Sequence, residues 1–192
     1  MMAGNLADGL NEVAAQHGLK AKAFNQIELF NIGDVSIQFE LIGDNSEPID
    51  ISETISDGDT SALVSKINQY SDTTGIIAFK SSTGAIVLQK NDGNDISVRN
   101  IITADGSAIS ARQLDEFGEV IQTESVASGE YLISGGQIKI TSAASFQVES
   151  GLNIINNANS EFLSGFVQKN HNVASNSTEY NFNVFDLIDS NN

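Results

Sequence analysis

Four aspartates around two glycine turns, in two short polar segments, are the first candidates for chemistry. Asp57 and Asp59 flank Gly58 in SDGDT, and Asp92 and Asp95 belong to NDGND. Calcium uses carboxylate oxygens of this kind, but it needs about six or more oxygen ligands and often a bidentate glutamate at a fixed spacing. Neither segment has the spacing of an EF-hand loop. We interpret both as turns or helix caps, with a calcium site as the alternative.

The two histidines, His17 and His171, are the next candidates, as general bases. His17 stands beside Gly18 at the predicted end of a helix, where the helix dipole favours a cation. His171 is predicted to lie in a polar, Asn-rich surface loop, and the chain has no G-x-S-x-G nucleophile elbow. We interpret both as surface residues, with a catalytic histidine as the alternative. The sequence nominates no catalytic, cofactor-binding or metal-binding residue, and it predicts a protein that is not an enzyme and has no cofactor.

The composition limits the classes of partner. The chain has 192 residues, a formal net charge of -16 and no cysteine. The charge argues against nucleic acid and anionic lipid as partners, and the missing cysteine excludes disulfides and zinc–thiolate sites. The longest apolar runs are far shorter than a membrane span, and the first residues lack the basic and apolar regions of a signal peptide. We expect a monomeric globular protein that is not bound to a membrane.

The elements that must position these residues begin with a helix and a strand. Apolar residues recur at helical spacing over residues 6–16, and Gly18 permits a left-handed helix end. From Leu19 the apolar period becomes two, which predicts a strand, and Ile27 and Leu29 indicate a second short strand. The cleanest alternation, with Val35, Ile37, Phe39 and Leu41 on one face, predicts the strand that follows.

Further along, a helix is predicted from about residue 61 to 70, followed by Gly75 and a hairpin that turns at residues 82–84. The segment SARQLDEFGEVI is predicted to be a short helix or an irregular crossing. EYLISGGQIKI predicts a hairpin with Gly135 and Gly136 as its two-residue turn. SFQVES and YNFNVFDL predict two more strands. Six phenylalanines are predicted to be core residues: Phe30, Phe39, Phe79, Phe146, Phe162 and Phe182.

The same spacing of residues occurs twice in the chain, at an offset of 57 positions and with no gap. Each copy contains an apolar helix stripe, an asparagine, a glycine and then a strand with an alanine. The matching pairs include Leu6 and Leu63, Leu10 and Ile67, Asn11 and Asn68, Gly18 and Gly75, and Ala21 and Ala78. Because the stripe of a short helix cannot be buried alone, each copy predicts a helix packed on its own strand. A duplicated α+β building block without activity is the plainest interpretation.

The second copy, with the residues around it, resembles the flagellin hook IN motif of bacterial flagellins and of some hook-associated and filament-cap proteins. The first copy resembles a divergent second motif, and together they cover about residues 5–98. The residues that carry the resemblance are Ile67, Asn68, Gly75, Ala78, Leu88, Asp92, Gly93, Asp95 and Ile96. A whole flagellin also has long terminal helices with heptad-like stripes that build the filament core, and no segment here holds a sustained heptad.

The resemblance implies a non-catalytic outer region of an extracellular flagellar protein. Its partners would be neighbouring flagellin subunits, through core helices of the parent protein, and O-linked glycans on exposed Ser and Thr. The predicted fold is α+β and β-rich. Tandem strand–helix–hairpin modules occupy residues 1–104, with copies at about 5–31 and 50–98, and a mostly antiparallel β subdomain occupies 105–192. A cell-surface adhesin or glycan-binding module, or the outer domain of a hook-associated or cap protein, is the alternative.

Overall fold

A computed structural model describes residues 3–14, 18–142, 168–171 and 178–183. This part of the chain contains two antiparallel sheets and few helices, so the prediction of a β-rich α+β fold is confirmed at that level. The helices are α1 (Ala3–Ala14), α2 (Ser61–Asn68) and α3 (Ser71–Thr74). The strands are β1 (Leu19–Phe30), β2 (Ser36–Ile42), β3 (Ile49–Thr54), β4 (Ile77–Lys80), β5 (Ile86–Lys90), β6 (Ile96–Thr103), β7 (Ile109–Leu114), β8 (Val120–Val126), β9 (Leu132–Ser134), β10 (Gln137–Ser142), β11 (Gln168–His171) and β12 (Thr178–Asn183).

The larger sheet is organised around β1, which changes partners along its length. Residues 19–24 pair with β10, residues 25–29 pair with β5, and residues 27–30 also pair with β7. β10 continues to β12 and β11, β5 continues to β4, and β7 continues to β8. The sequence predicted two short strands here, and this is wrong. The two segments form a single strand, Leu19–Phe30, whose two halves pair with different neighbours.

The smaller sheet has the order β3-β2-β6-β9 and shares an apolar core with the larger sheet. Its strand β2 follows the predicted alternation, because Ile37, Phe39 and Leu41 are buried and Ser36 and Gln38 are exposed. Side chains from both sheets and from α2 form one apolar core, which supplies most of the stability by burial from water. Its large members include Ile27, Leu29, Ile37, Phe39, Leu41, Ile51, Leu63, Ile67, Ile86, Leu88, Ile96 and Val98.

A second, smaller core lies under α1. The helix places Ala3 and Ala7 on Ala23 of β1 and on Ile138 and Ile140 of β10. Leu6, Leu10, Leu19 and Ala21 pack against this cluster and are partly buried. The stripe predicted from the sequence meets the sheet only in part, because Leu6 and Leu10 are partly buried and Val13 is 63% exposed. The buried face is formed by Ala3 and Ala7, whose small side chains bury less area than those of the main core.

The segment around Gly135 and Gly136 is not the predicted hairpin. β9 pairs with β6 in the smaller sheet, whereas β10 pairs with β1 in the larger one, so the two glycines carry the chain from one sheet to the other. A Cβ on Gly136 would overlap the carbonyl oxygen of Gly93 and lie 2.8 Å from Cβ of Ala3. Gly136 is therefore explained by a close backbone approach rather than by a tight turn.

Three further predictions were wrong. SARQLDEFGEVI forms most of the β7–β8 hairpin, with a turn from Asp115 to Glu119, rather than a helix or an irregular segment. Phe79 is 39% exposed, because the alternation that buries Ala78 turns both its neighbours outward. His171 lies in β11 rather than in a loop. Predictions for His17, Phe146, Phe162 and the SFQVES strand fall outside the described residues.

Hydrogen bonds also connect the chain on the two sides of residue 104. β1 belongs to the first part of the chain, and both β7 and β10, its partners, belong to the second. The described portion is therefore joined through one continuous sheet. None of its helices is long and apolar enough to cross a membrane.

Candidate functional site

Asn68, at the last position of α2, forms two hydrogen bonds to the backbone of β4. Its Nδ2 donates to the carbonyl oxygen of Ala78 at 2.8 Å, and its Oδ1 accepts from the N–H of Ala78 at 2.8 Å. One side chain thus takes the place of a neighbouring strand at an edge where the backbone groups would otherwise face solvent. Leu63 and Ile67 on the same helix are fully buried, so the helix is fixed to the core and the asparagine is fixed to the strand.

Asn11 makes the same pair of hydrogen bonds 57 residues earlier. Its Nδ2 donates to the carbonyl oxygen of Ala21 at 2.8 Å, and its Oδ1 accepts from the N–H of Ala21 at 2.7 Å. We name α1 with residues 19–24 the first clamp, and α2, α3 and β4 the second clamp. Each clamp holds its strand through one asparagine side chain.

A glycine with positive φ precedes the strand in both clamps. Gly18 has φ 73° and Gly75 has φ 68°, in the left-handed region that favours glycine. Their surroundings differ. A Cβ at Gly18 would meet nothing within 4 Å, whereas a Cβ at Gly75 would overlap the Asp44 carboxylate and lie 2.7 Å from Nζ of Lys90.

Lys90 explains the crowding at Gly75. Its side chain is 1% exposed, and its Nζ lies 2.7 Å from Oδ1 of Asp44 and 2.8 Å from Oδ2 of Asp92. Burial raises the pKa of Asp92, but the hydrogen bond and charge of Lys90 and the N–H of Asn94 outweigh it and bring that pKa below its ordinary value. The ammonium group therefore ties together the turn after β2 and the turn after β5, and the pairing offsets the cost of burying it. The N–H of Asp44 also donates to the carbonyl oxygen of Thr74 at 2.9 Å, which joins the turn after β2 to the end of α3.

The aspartates of SDGDT stabilise a turn and the start of α2. Oδ1 of Asp59 accepts hydrogen bonds from the N–H and Oγ of Ser61 and from Nζ of Lys80. These bonds lower the pKa of Asp59 from 3.8 to about 2. The predicted role at the helix start is confirmed for this residue. Asp57 has φ 55° in the turn beside it.

The structure brings neither aspartate pair into a calcium-like arrangement. In the described portion, no three side chains of His, Asp or Glu are grouped so that they could hold a metal ion. The carboxylate of Asp92 instead accepts hydrogen bonds from Nζ of Lys90 at 2.8 Å and from the N–H of Asn94 at 2.9 Å. Of the two histidines only His171 is described, and its backbone pairs with Glu179.

A buried polar group at the junction of the two cores was missed by the sequence analysis. Nδ2 of Asn25 donates to the carbonyl oxygen of Ser134 at 2.7 Å, and Oγ of Ser134 donates to Oδ1 of Asn25 at 2.8 Å. Nε2 of Gln113 donates to the carbonyl oxygen of Gly135 at 2.9 Å. These bonds fix the crossing between the sheets. The only feature of the sequence that indicates this buried polar group is Asn25, a polar residue at an inward position between Ala23 and Ile27.

A depression at one end of the larger sheet was also missed. It has a volume of about 400 Å³ and lies among the end of β1, the turn before α2 and the β4–β5 turn. Arg112 of β7 borders it, forms an ion pair with the buried Glu28 and lies over the Phe30 ring at 4.8 Å. Arg112 falls in a segment predicted to be helical or irregular, so no sequence pattern pointed to it.

Comparison with known proteins identifies no family for this chain. No family model matches it, and no curated protein matches it.

Proposed function

We propose that the two clamps are copies of one module and that the chain is the solvent-facing outer region of a bacterial flagellin or of a related hook-associated or cap protein. Its role is structural and extracellular. It supplies bulk, negative surface charge and lateral contacts on a filament that transmits torque. The parent protein's core helices would join it to neighbouring subunits, and exposed Ser and Thr would be the acceptors for O-linked glycans.

The observation that carries this proposal is the doubled asparagine clamp. Asn11 and Asn68 stand at equivalent positions of the repeated spacing and make the same two hydrogen bonds to Ala21 and Ala78. The resemblance to the flagellin motif rests on this unit, and in both copies the repeated spacing is accounted for by contacts that hold the helix to its strand. None of these residues is arranged as a reactive group, which favours a structural role.

The placement of the first helix and the last described strand also supports the proposal. Cβ of Ala3, at the start of α1, lies next to Gly136, and the adjacent Gln137 pairs with Asn183 at the end of β12. The first residue of α1 and the last residue of β12 therefore lie at the same end of β10. This geometry suits a lobe that is attached to a larger assembly at one place.

Immunogold electron microscopy of the source bacterium tests the proposal. An antiserum against this protein is expected to label flagella, with gold along the whole filament for a flagellin and only at the tip or the hook junction for a cap or hook-associated protein. A strain that lacks the gene is the control. Label on the cell body with none on flagella would contradict the proposal and favour a surface adhesin.

A further inference from the structure

The depression beside Arg112 has the size and position of a ligand site. Its volume of about 400 Å³ lies within the usual range for small-molecule pockets. Three chain segments build its walls: residues 29–32, the loop at Gly58 and Thr60, and the β4–β5 turn at residues 83–85. Binding residues are often carried by loops on a rigid scaffold, and this depression lies where such loops leave the larger sheet.

Arg112 is held in place before any ligand arrives. Glu28, which is 3% exposed, pairs with Nε of Arg112, and the guanidinium lies over the Phe30 ring at 4.8 Å. Within the described residues the ion pair to Glu28 is the one hydrogen bond of this guanidinium, so its terminal N–H groups remain able to donate to a ligand. Both Glu28 and Arg112 lie on paired strands, which keeps the group rigid.

Other polar groups border the same space. Nδ2 of Asn31 donates to Oγ of Ser110 at 3.0 Å, which orients the amide, and Asn31 is held at φ 55°. Thr60, which is 4% exposed, donates through Oγ1 to the carbonyl oxygen of Gly84 at 3.0 Å and fixes the β4–β5 turn. Thr83 contributes a hydroxyl at the rim. Phe30, Ile32 and Ala85 also line the depression and add apolar side chains to it.

The charges narrow the chemistry of the ligand. Glu28 neutralises Arg112, and the protein as a whole carries a formal charge of -16, so a strongly anionic ligand would be repelled. A cation would find no carboxylate among the described residues that line the depression. A small neutral molecule with several hydroxyls and an apolar face satisfies both limits. Hydroxyls accept from the guanidinium and donate to the Asn31 amide oxygen, while C–H groups contact Phe30 and Ile32.

We propose that this depression binds a single neutral sugar residue. This activity goes beyond a purely structural outer region and does not depend on it, because the depression belongs to the fold itself. The site would let the protein recognise a terminal sugar of a glycan.

Amide chemical shifts of the isotope-labelled protein test the proposal. Methyl glycosides of glucose, galactose, mannose and N-acetylglucosamine are titrated separately, with N-acetylneuraminic acid as the anionic comparison. At least one neutral glycoside is expected to shift the amides of Asn31, Gly58, Thr83 and Gly84 saturably, with a dissociation constant on the order of 1 mM, and the acid is expected to bind more weakly. Unsaturable shifts, or shifts confined to other surfaces, with all four glycosides would overturn the proposal.

A matched pair of variants separates this site from general surface effects. Thr83→Phe places an aromatic ring at the rim of the depression and is expected to weaken binding at least about tenfold. Ser52→Phe puts the same ring on an exposed position of β3 in the smaller sheet and is expected to leave binding unchanged. Unaltered binding by Thr83→Phe would refute the site.

Arg112→Lys provides a second, chemical test. Lysine keeps a positive charge near Glu28 but loses the planar set of donors, so binding is expected to fall about tenfold. Circular dichroism establishes that the variant is folded. If it is folded and binds sugar as the original protein does, Arg112 does not contact the ligand and the proposed site is wrong. If it does not fold, the Thr83→Phe and Ser52→Phe pair decides alone.

Discussion

The two clamps share their local geometry but are completed by different strands. In the second clamp, Ala78 pairs with Leu88 of β5, which follows after the turn at residues 81–85. In the first clamp, Ala21 pairs with Ile140 of β10, and β2 to β9 lie between these two strands in the sequence. The same helix, glycine and strand are thus used once in a local hairpin and once in a long-range pairing.

This difference separates what short segments determine from what the whole fold determines. The asparagine, the glycine and the alanine are close in sequence, and their contacts follow from local spacing. The completing strand is set by tertiary pairing, and a long-range pairing must overcome a larger loop-closure cost. We expect the second clamp to be the more stable of the two, because it also buries Leu63 and Ile67 in the main core.

The outward faces of the two clamped strands differ as well. In the second clamp Phe79 lies opposite Val87, an apolar pair. In the first clamp the corresponding position is Lys22, which lies directly opposite Lys139. Like charges in that arrangement are unfavourable, and Glu116 relieves them by contacting Lys22 at 3.0 Å and Lys139 at 2.6 Å.

The largest difference between the clamps is expected in how much an alanine in place of the glycine lowers the free energy of unfolding. Gly75→Ala should lower the free energy of unfolding by about 3 kcal/mol or more, because the new Cβ adds overlap with Asp44 and Lys90 to the cost of a positive φ. Gly18→Ala has open space and should cost about 1 kcal/mol. Urea unfolding of both variants measures the contrast, and equal costs would show that Lys90 does not crowd the second clamp.

A smaller effect is expected at Glu116. Glu116→Gln should lower the free energy of unfolding by about 1 kcal/mol, since the two lysines then repel one another across β1 and β10 and are partly screened by water. Glu119→Gln makes the same change of charge on the exposed end of the same turn and serves as the control. If both variants unfold alike in urea, net charge rather than the lysine pair is responsible.

The smallest effect is expected on the stability of the second clamp at low pH, because only this clamp has an ion pair between Asp59 and Lys80. Asp59 and Lys80 pair at 3.0 Å in the second clamp, while the corresponding positions of the first are Met2 and Ala23. The pKa of Asp59 lies below its ordinary value, so its stabilising contribution is present above pH 3.8 and is lost as the pH falls from there to about 2. A carboxyl NMR titration is expected to give a midpoint near 2, and Asp59→Asn should remove this pH dependence at the start of α2. A midpoint near 4 would mean that the bonds to Ser61 and Lys80 do not persist in solution.

The sequence predicted those parts of the fold that depend on neighbouring residues. α2, the hairpin of β4 and β5, and the alternation of β2 all follow from apolar spacing and a glycine. The prediction of β2 was confirmed because Ile37, Phe39 and Leu41 face a single core, which leaves a clear period of two.

Predictions failed where distant strands decide the structure. Gly135 and Gly136 have the sequence of a hairpin turn, but their two strands belong to different sheets, and only the pairing with β6 and β1 reveals this. Arg112 and Glu28 could not be joined from the sequence, because nothing in either segment indicates that β1 and β7 are neighbours. No local pattern around Asp92 indicates that the buried Lys90 pairs with it, because that contact depends on how the turn after β5 packs against the turn after β2.

Hydrogen exchange at two amides tests most directly whether the clamps are one device used twice. The N–H groups of Ala21 and Ala78 are each bonded to an asparagine Oδ1, of Asn11 and Asn68 respectively. Asn11→Ala should speed exchange at Ala21 by about tenfold or more and leave Ala78 protected, because the main core stays intact. Asn68→Ala should have at least that effect at Ala78. If either amide exchanges at the same rate in the original protein and in its own variant, the two asparagines do not play the same role.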